Sequence, residues 1–519
     1  METNTGSPRS AAFRFLKLCW RRVTIVSLLL LIPCFWHRRI EAGDLASHIY
    51  NAWLAQLIAN GQAPGLYFAR QWNNVLFDFA LLKVGNLLGL AAAEKIVVSL
   101  CVLIFFWGAF ALVTAVTRRP PWFLLPCLAM LAYGWTFNVG FFNYYLSLGL
   151  GFFATAIVWD VATRQLGAAC EAPHDSPHTS VWRRWSRELV VAASLAVLVL
   201  VAHPQGFAWL VGCLTYLLLW QRLRGWTKLA LPVAAAMLIV ALRLYFSRHY
   251  ETFGLWDSFG PGIYNGADQI ALFSNRYFVL SMVAMLFGIL AFLLDGRRKL
   301  RVQESWAPLR LAVELYCVVV FASYVLPDVL RIPLYTGWVG AFALRLTTIS
   351  AVFGLCVLGF MHPKKWHAAG FGILALLFFI FLYKDTGVLN RMEDQVDRLV
   401  ASLPPGERVL ATIWAPPDSR LPYIVHMVDR ACVGKCFSYE NYEPASGEFR
   451  LRVREGSPIA SANTQEREKM EAGEYIVQPD DLPMAQIYQC DASDLTWLCV
   501  RQLAAGEPNG RFGYQPPKE

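Results

Sequence analysis

Apolar runs long enough to cross a lipid bilayer recur through the first 385 residues of this chain, and no other feature limits its fold so severely. Backbone N–H and C=O groups find no water inside hydrocarbon, so a run that enters it must satisfy them internally as a helix. A span needs ~20 residues to cover ~30 Å of hydrocarbon. On that basis spans are expected at 20–36, 94–117, 121–136, 139–161, 189–203, 206–222, 228–246, 272–294, 309–326, 341–361 and 366–384. Of the 519 residues 56% are hydrophobic and only 16% charged, whereas a soluble domain carries about 25% charged residues. The expected class is therefore an all-α polytopic membrane domain of about 11 transmembrane helices.

The net charge of +9 does not call for a nucleic-acid partner, because the basic residues stand in short clusters between apolar runs, where they set orientation. Arg14–Arg22, Arg118–Arg119, Arg183–Arg187, Arg222–Lys228, Arg297–Arg301 and Lys364–Lys365 fall on alternate loops. By the positive-inside rule the tail 1–19 is cytoplasmic and the C-terminus lies on the opposite side. A span at 71–90 would break this alternation. Residues 37–93 thus read as one long extracytoplasmic loop, with helices at 45–60 and 67–90 lying along the membrane surface. The first apolar run ends in Cys34-Phe35-Trp36-His37 with no small-residue cleavage site, so it reads as a signal anchor. The Pro- and Ser-containing loop 162–188, with His174 and His178, reads as a disordered linker rather than a metal site.

After Lys384 the chain becomes polar and rich in turns, which implies a small extracytoplasmic α/β domain over 386–519. Arg408–Trp414 and Trp497–Leu503 read as strands and 389–403 as an amphipathic helix. Its four cysteines, Cys432, Cys436, Cys490 and Cys499, suit two local disulfides in an oxidising compartment. A zinc half-site at Cys432 and Cys436 is the rival, with no histidine spaced to complete it.

Glu41 and Asp44 follow the first span directly. Their spacing puts both on one side of a helical turn, where Asp44 also suits the N-cap of helix 45–60. The segment GDLASHIYNAWLAQLIANGQAPGLY, the long loop after the first helix, about ten further spans and the C-terminal domain together resemble the GT-C superfamily of integral membrane glycosyltransferases. That superfamily includes the protein O-mannosyltransferases and the lipid A aminoarabinose transferases. The resemblance implies an inverting enzyme that moves a sugar from a polyprenyl-phosphate donor to an extracytoplasmic hydroxyl of a lipid, glycan or protein. It also implies that a carboxylate of the first outer loop accepts the proton of the acceptor. The acids here are spaced Glu-x-x-Asp rather than Asp-x-Asp, which leaves open which is the base and whether a divalent metal is held.

The chemistry points to the same place, because displacing a lipid phosphate from an anomeric carbon needs a base for the hydroxyl and cations for the phosphate. Asp44 is the expected base and Glu41 the second choice. Arg345, at the start of a span, is the leading phosphate ligand, since an arginine at the membrane edge needs a partner. Arg331 and His203 are further candidates, with Arg276 and Arg243 behind them. His48, Tyr67 and Tyr264 are expected to line the substrate cleft, and the loop 247–271 is a candidate lid. The aromatic run Phe137–Tyr145 reads as an interfacial belt and not as a site. Glu314 and Arg310 read as a structural ion pair. The alternative function is a transporter or flippase of lipid-linked sugars, which calls for mid-span charges and inverted repeats. The composition suits a bacterial inner membrane with a periplasmic C-terminal domain.

Overall fold

The computed structural model describes residues 9–171, 178–296, 306–333, 338–416, 419–421, 426–491 and 493–510. Seven of its helices are long and apolar enough to cross a membrane: Leu90–Thr117, Trp122–Val139, Phe142–Ala162, Gly225–His249, Asn275–Leu294, Trp306–Val325 and Lys365–Ala401. The other four expected spans also fall on helices, Arg9–Phe35, His178–Ala202, Pro204–Arg222 and Phe342–Leu358. The last is apolar but has only 17 residues. His174 lies outside the described residues, and helix extends on either side of it, to Glu171 and from His178.

The centre of the bundle is formed by Leu90–Thr117 against Phe142–Glu171. A Cβ on Gly149 would stand 2.7 Å from backbone atoms of Phe105, so only glycine lets these helices meet backbone to backbone. Such small-residue contacts replace the hydrophobic drive that lipid does not provide. Phe105 stacks on Tyr145 beside the contact, with ring centroids 4.3 Å apart. Arg310 and Glu314 form a 2.6 Å ion pair.

The 37–93 segment folds otherwise than its periodicity implies. A helix forms at Leu45–Ala59, but 67–90 is not one helix: Leu66–Phe68 is a strand and the next helix is Leu76–Leu88. The strand has a partner 385 positions on, with Leu66 opposite Val453 and Phe68 opposite Leu451. Nor does the first helix lie with one face in the interface. Every residue from Leu45 to Ala52 is buried, because the C-terminal region covers the side turned away from the bundle. Leu76–Leu88 does keep an outward apolar face, with Phe79, Leu87 and Leu88 exposed.

The C-terminal region is a four-stranded sheet, in the order Phe437–Ser438, Arg408–Thr412, Met484–Gln489, Leu498–Gln502. The first two pairings are parallel and the last antiparallel. Helix Lys365–Ala401 runs unbroken across residue 386, so the expected helix at 389–403 is the continuation of the last apolar helix. Cys432 is bonded to Cys436 and Cys490 to Cys499. One hydrophobic core runs from the helical bundle into this region, reaching Val409, Ile487 and Leu498.

Buried charge locks the two parts together. Arg39 meets Glu393 at 3.1 Å, Asp394 at 2.8 Å and Asp397 at 2.5 Å. Arg430 meets Glu94 at 3.4 Å and Glu393 at 3.6 Å, and donates to the carbonyl of Ile40. Glu41 belongs to this cluster: burial, then the neighbouring Glu393, push its carboxyl well above the ordinary range. Removing one partner of a buried pair costs about 3–5 kcal/mol. Arg430→Met is therefore expected to lower the thermal unfolding temperature in detergent markedly, whereas Glu41→Gln, which removes a carboxyl whose charged form burial already disfavours, stays near wild type.

Candidate active site

Where the bundle meets the C-terminal region lies a cavity of about 1300 Å³ whose walls include Asp44, His48, His203, Arg345, Arg420 and His426. Aromatic side chains line it as well, among them Trp135, Phe141, Tyr144, Trp414 and Tyr442.

Asp44 owes its position to a backbone clasp. The N–H groups of Gly43 and Asp44 donate to the carbonyls of Asn138 and Val139, each at 2.8 Å. Gly140 follows with φ 94°, and a Cβ there would lie 2.5 Å from the Asp44 nitrogen. Asp44 precedes helix Leu45–Ala59, yet its side chain makes no capping bond. The carboxylate is left to the cavity, where its sole ion-pair contact among the described residues is His426 Nε2 at 3.6 Å. Burial raises the Asp44 carboxyl above its usual range, and His426, His48 and Arg345 work against that rise.

Two histidine–aspartate pairs flank this carboxylate. His48 Nδ1 stands 2.7 Å from Asp78 and 3.6 Å from Glu443, and the Asn143 amide holds Asp78 from behind at 2.8 Å. Burial disfavours the charged ring of His48, but Asp78, Glu443 and Asp44 together outweigh it and lift its pKa to about 9. Glu443 in turn is pushed up to about 8 by burial, against the pull of His48. On the other side His426 Nδ1 faces Asp429 Oδ2 at 3.2 Å. Asp429 is itself fixed by hydrogen bonds from Ser438 and Asn441.

Arg345 is a cation of the cavity that makes no ion pair among the described residues. Its guanidinium lies 3.9 Å from the ring centroid of Phe141 and 5.7 Å from that of Tyr144. Its Nε is buried without a hydrogen-bond partner, and no carboxylate within ion-pair distance is found among the described residues. Asp328 secures the turn that carries it, accepting from the backbone of Phe342 and, through Oδ1, of Leu344. His203 begins the helix Pro204–Arg222 and accepts the N–H of Gln205 at Nδ1, which leaves the ring proton of the neutral form on Nε2. Glu448 lines the same wall, pushed up to about 7 by burial although Arg345 opposes the rise.

Of the residues expected from sequence, Asp44, His48, His203 and Arg345 share this cavity. Four do not line it. Glu41 is turned into the buried charge cluster. Tyr67 sits in the strand Leu66–Phe68 under the Arg454 guanidinium. Tyr264 is buried, donating to the carbonyl of Gly260 at 2.9 Å. Arg331 lies in a strand paired with Glu251–Phe253, beside a separate pocket with Trp338 and Lys469. Arg276 pairs with Asp385 instead. The aromatic run 137–145 is not a mere belt, since Phe141, Phe142, Asn143 and Tyr144 face the cavity. The loop 247–271 contributes Ser258 and Phe259. Sequence reading missed Asp78, Arg420, His426, Asp429, Tyr442 and Glu448. The His426–Asp429 spacing of three on a helical turn was the one local signal. Among the described residues no three His, Cys, Asp or Glu side chains are arranged to hold a metal ion. Asp78 and Glu443 are engaged by His48 and Asp429 by His426, so these carboxylates do not stand free for a resident divalent cation.

No family model matches the chain, and no curated protein matches it in sequence. Two solved structures are similar to it. One is the archaeal oligosaccharyltransferase AglB from Archaeoglobus fulgidus in complex with an inhibitory peptide and a dolichol-phosphate, at 12% identity and TM-score 0.37, covering 81% of this chain and 64% of that one. The other is the Archaeoglobus fulgidus oligosaccharyltransferase in the apo form, at 11% identity and TM-score 0.37, covering 82% and 65%. The chain thus spans somewhat under two thirds of the length of both.

Proposed function

We propose that this protein is a multi-pass membrane glycosyltransferase of the GT-C kind that takes a sugar from a polyprenyl-phosphate donor and passes it, with inversion, to a hydroxyl acceptor. The observation that carries this reading is one cavity shared by a carboxylate whose side chain makes no capping bond, Asp44, and an arginine, Arg345, whose buried Nε has no hydrogen-bond partner and which makes no ion pair among the described residues. Asp44 takes the proton of the acceptor hydroxyl as that oxygen attacks the anomeric carbon. The bond from that carbon to the phosphate oxygen breaks, and its electron pair leaves with the lipid phosphate. Arg345 meets the growing charge, with His203 and Arg420 on the same walls. Preorganised donors of this sort stabilise a leaving anion because they need no reorganisation during the step. Aromatic walls suit the faces of a sugar. The alternating Lys and Arg clusters favour a cytoplasmic N-terminus and the two disulfides an oxidising compartment for the C-terminal region, and the Ala-, Leu- and Arg-rich spans suit a bacterial inner membrane with that region in the periplasm.

The test is transfer by the purified full-length protein in lipid, supplied with radiolabelled polyprenyl-phosphate sugars and native membrane extract. Label should move to an acceptor or be released as free sugar. Consumption of no donor from a broad panel, with donor instead crossing the bilayer intact, overturns the reading in favour of a flippase. In the same assay Gly140→Ala is expected to lower the rate on the order of 10²-fold, the cost of displacing a catalytic group by about 1 Å.

A further inference from the structure

The C-terminal region brings its own charge to the base. His426 reaches Asp44 from the helix Met427–Cys432 side of the interface, with Nε2 3.6 Å from Oδ1. Its other nitrogen faces Asp429 at 3.2 Å. Asp429 has little freedom: Oδ1 accepts from Ser438 at 2.5 Å and Oδ2 from the Asn441 amide at 3.1 Å. Asn441 also donates to Ser47, on the helix that Asp44 precedes. The Ser438 backbone donates to Tyr50 of that helix. An imidazole with a carboxylate at each nitrogen has two acceptors and so is served best as the two-donor cation.

We propose that His426, oriented by Asp429, is a positioning residue of the transfer reaction, supplying beside Asp44 the positive charge that a buried carboxylate needs in order to act as base. The inference rests on the transferase reading above. His48 and Arg345 also favour the ionised form of Asp44, but less than His426, which among the described residues is the cation within ion-pair distance of it. His48 is paired with Asp78 and Glu443, and Arg345 lies on the aromatic wall of Phe141 and Tyr144. Glu448 and Glu471 line the cavity as acids, and the Tyr442 ring packs against His426 at 5.0 Å. An opposite charge within ~4–6 Å favours ionisation of a carboxyl, commonly by 1–3 pH units. Losing His426 therefore makes Asp44 harder to ionise.

Two measurements on the full-length protein test this. The first is the pH profile of kcat/KM for His426→Gln and Asp429→Asn. The acid limb is expected to move to higher pH by about one unit or more in His426→Gln, a loss of about tenfold per unit on that limb, and by less in Asp429→Asn. A uniform loss with the limb unmoved is what a structural role gives, and it overturns the proposal. The second needs no turnover: carbethoxylation of His426 against pH, read by peptide mass spectrometry. Its midpoint should fall in Asp44→Asn, since the carboxylate that holds the ring charged is gone, and an unmoved midpoint overturns the pairing. A wild type that transfers no sugar while the midpoint shifts refutes the transferase reading and leaves the pairing standing. A transferring wild type with neither shift refutes the present inference alone.

Discussion

Asp44→Asn is expected to lower sugar transfer by about 10²–10⁴-fold, the range that general base catalysis contributes, without loss of folded protein. The amide keeps the shape of the side chain, and the backbone clasp to Asn138 and Val139 does not involve the carboxylate. No capping bond is lost, because the side chain makes none. What disappears is a cavity carboxylate that makes no capping bond and on which His426, His48 and Arg345 act to favour the ionised form. If Arg345, His203 and Arg420 hold the donor phosphate as proposed, donor affinity should change little and the effect falls on kcat. An equally active Asp44→Asn protein sinks the assignment of the base. Wild-type activity should fall on the acid side above the usual carboxylate range, because burial raises this carboxyl.

Arg345→Gln is expected to cost about 10²–10³-fold in kcat, comparable to removing one preorganised donor from an anion-stabilising site, with weaker donor binding besides. Burying a guanidinium Nε with no partner is unfavourable in a finished structure, which makes sense if a phosphate oxygen completes it. Arg345→Lys should recover only part of the loss: lysine keeps a point charge but neither stacks flat on Phe141 nor presents a planar fork to phosphate. Single-turnover rates and donor titrations with the two variants separate binding from chemistry. An Arg345→Gln protein with unchanged donor affinity and rate shows that the phosphate binds elsewhere.

How far the site was legible in the residues varies with the range of the forces involved. Asp44 and Arg345 announced themselves by type and by position at the ends of apolar runs, where charge is costly and so selective. Glu41 carried the same local signature as Asp44 and yet turns the other way. The charges that act on it most are those of Glu393 and Arg430, more than 350 positions distant. Tyr67 and Arg331 stand away from the cavity for a similar reason, since each is drawn into a two-stranded pairing whose partner is remote in the chain. His426 and Glu448 stood in a segment that reads as a separate domain, and nothing local ties them to the membrane part.

The sequence by itself determined that the chain forms apolar helices of membrane length, because unsatisfied backbone groups in hydrocarbon leave no other solution. It also determined a polar, strand-containing region after them and a carboxylate close behind the first helix. Only the tertiary structure decided that this region is not an appendage. One continuous helix, Lys365–Ala401, carries it back over the bundle, and the strand Leu66–Phe68 pairs with it. Buried charges of both parts then neutralise one another across the seam. Such contacts depend on desolvation and on partners hundreds of residues apart, quantities that local periodicity does not encode. The cavity that joins Asp44, Arg345 and His426 is their product.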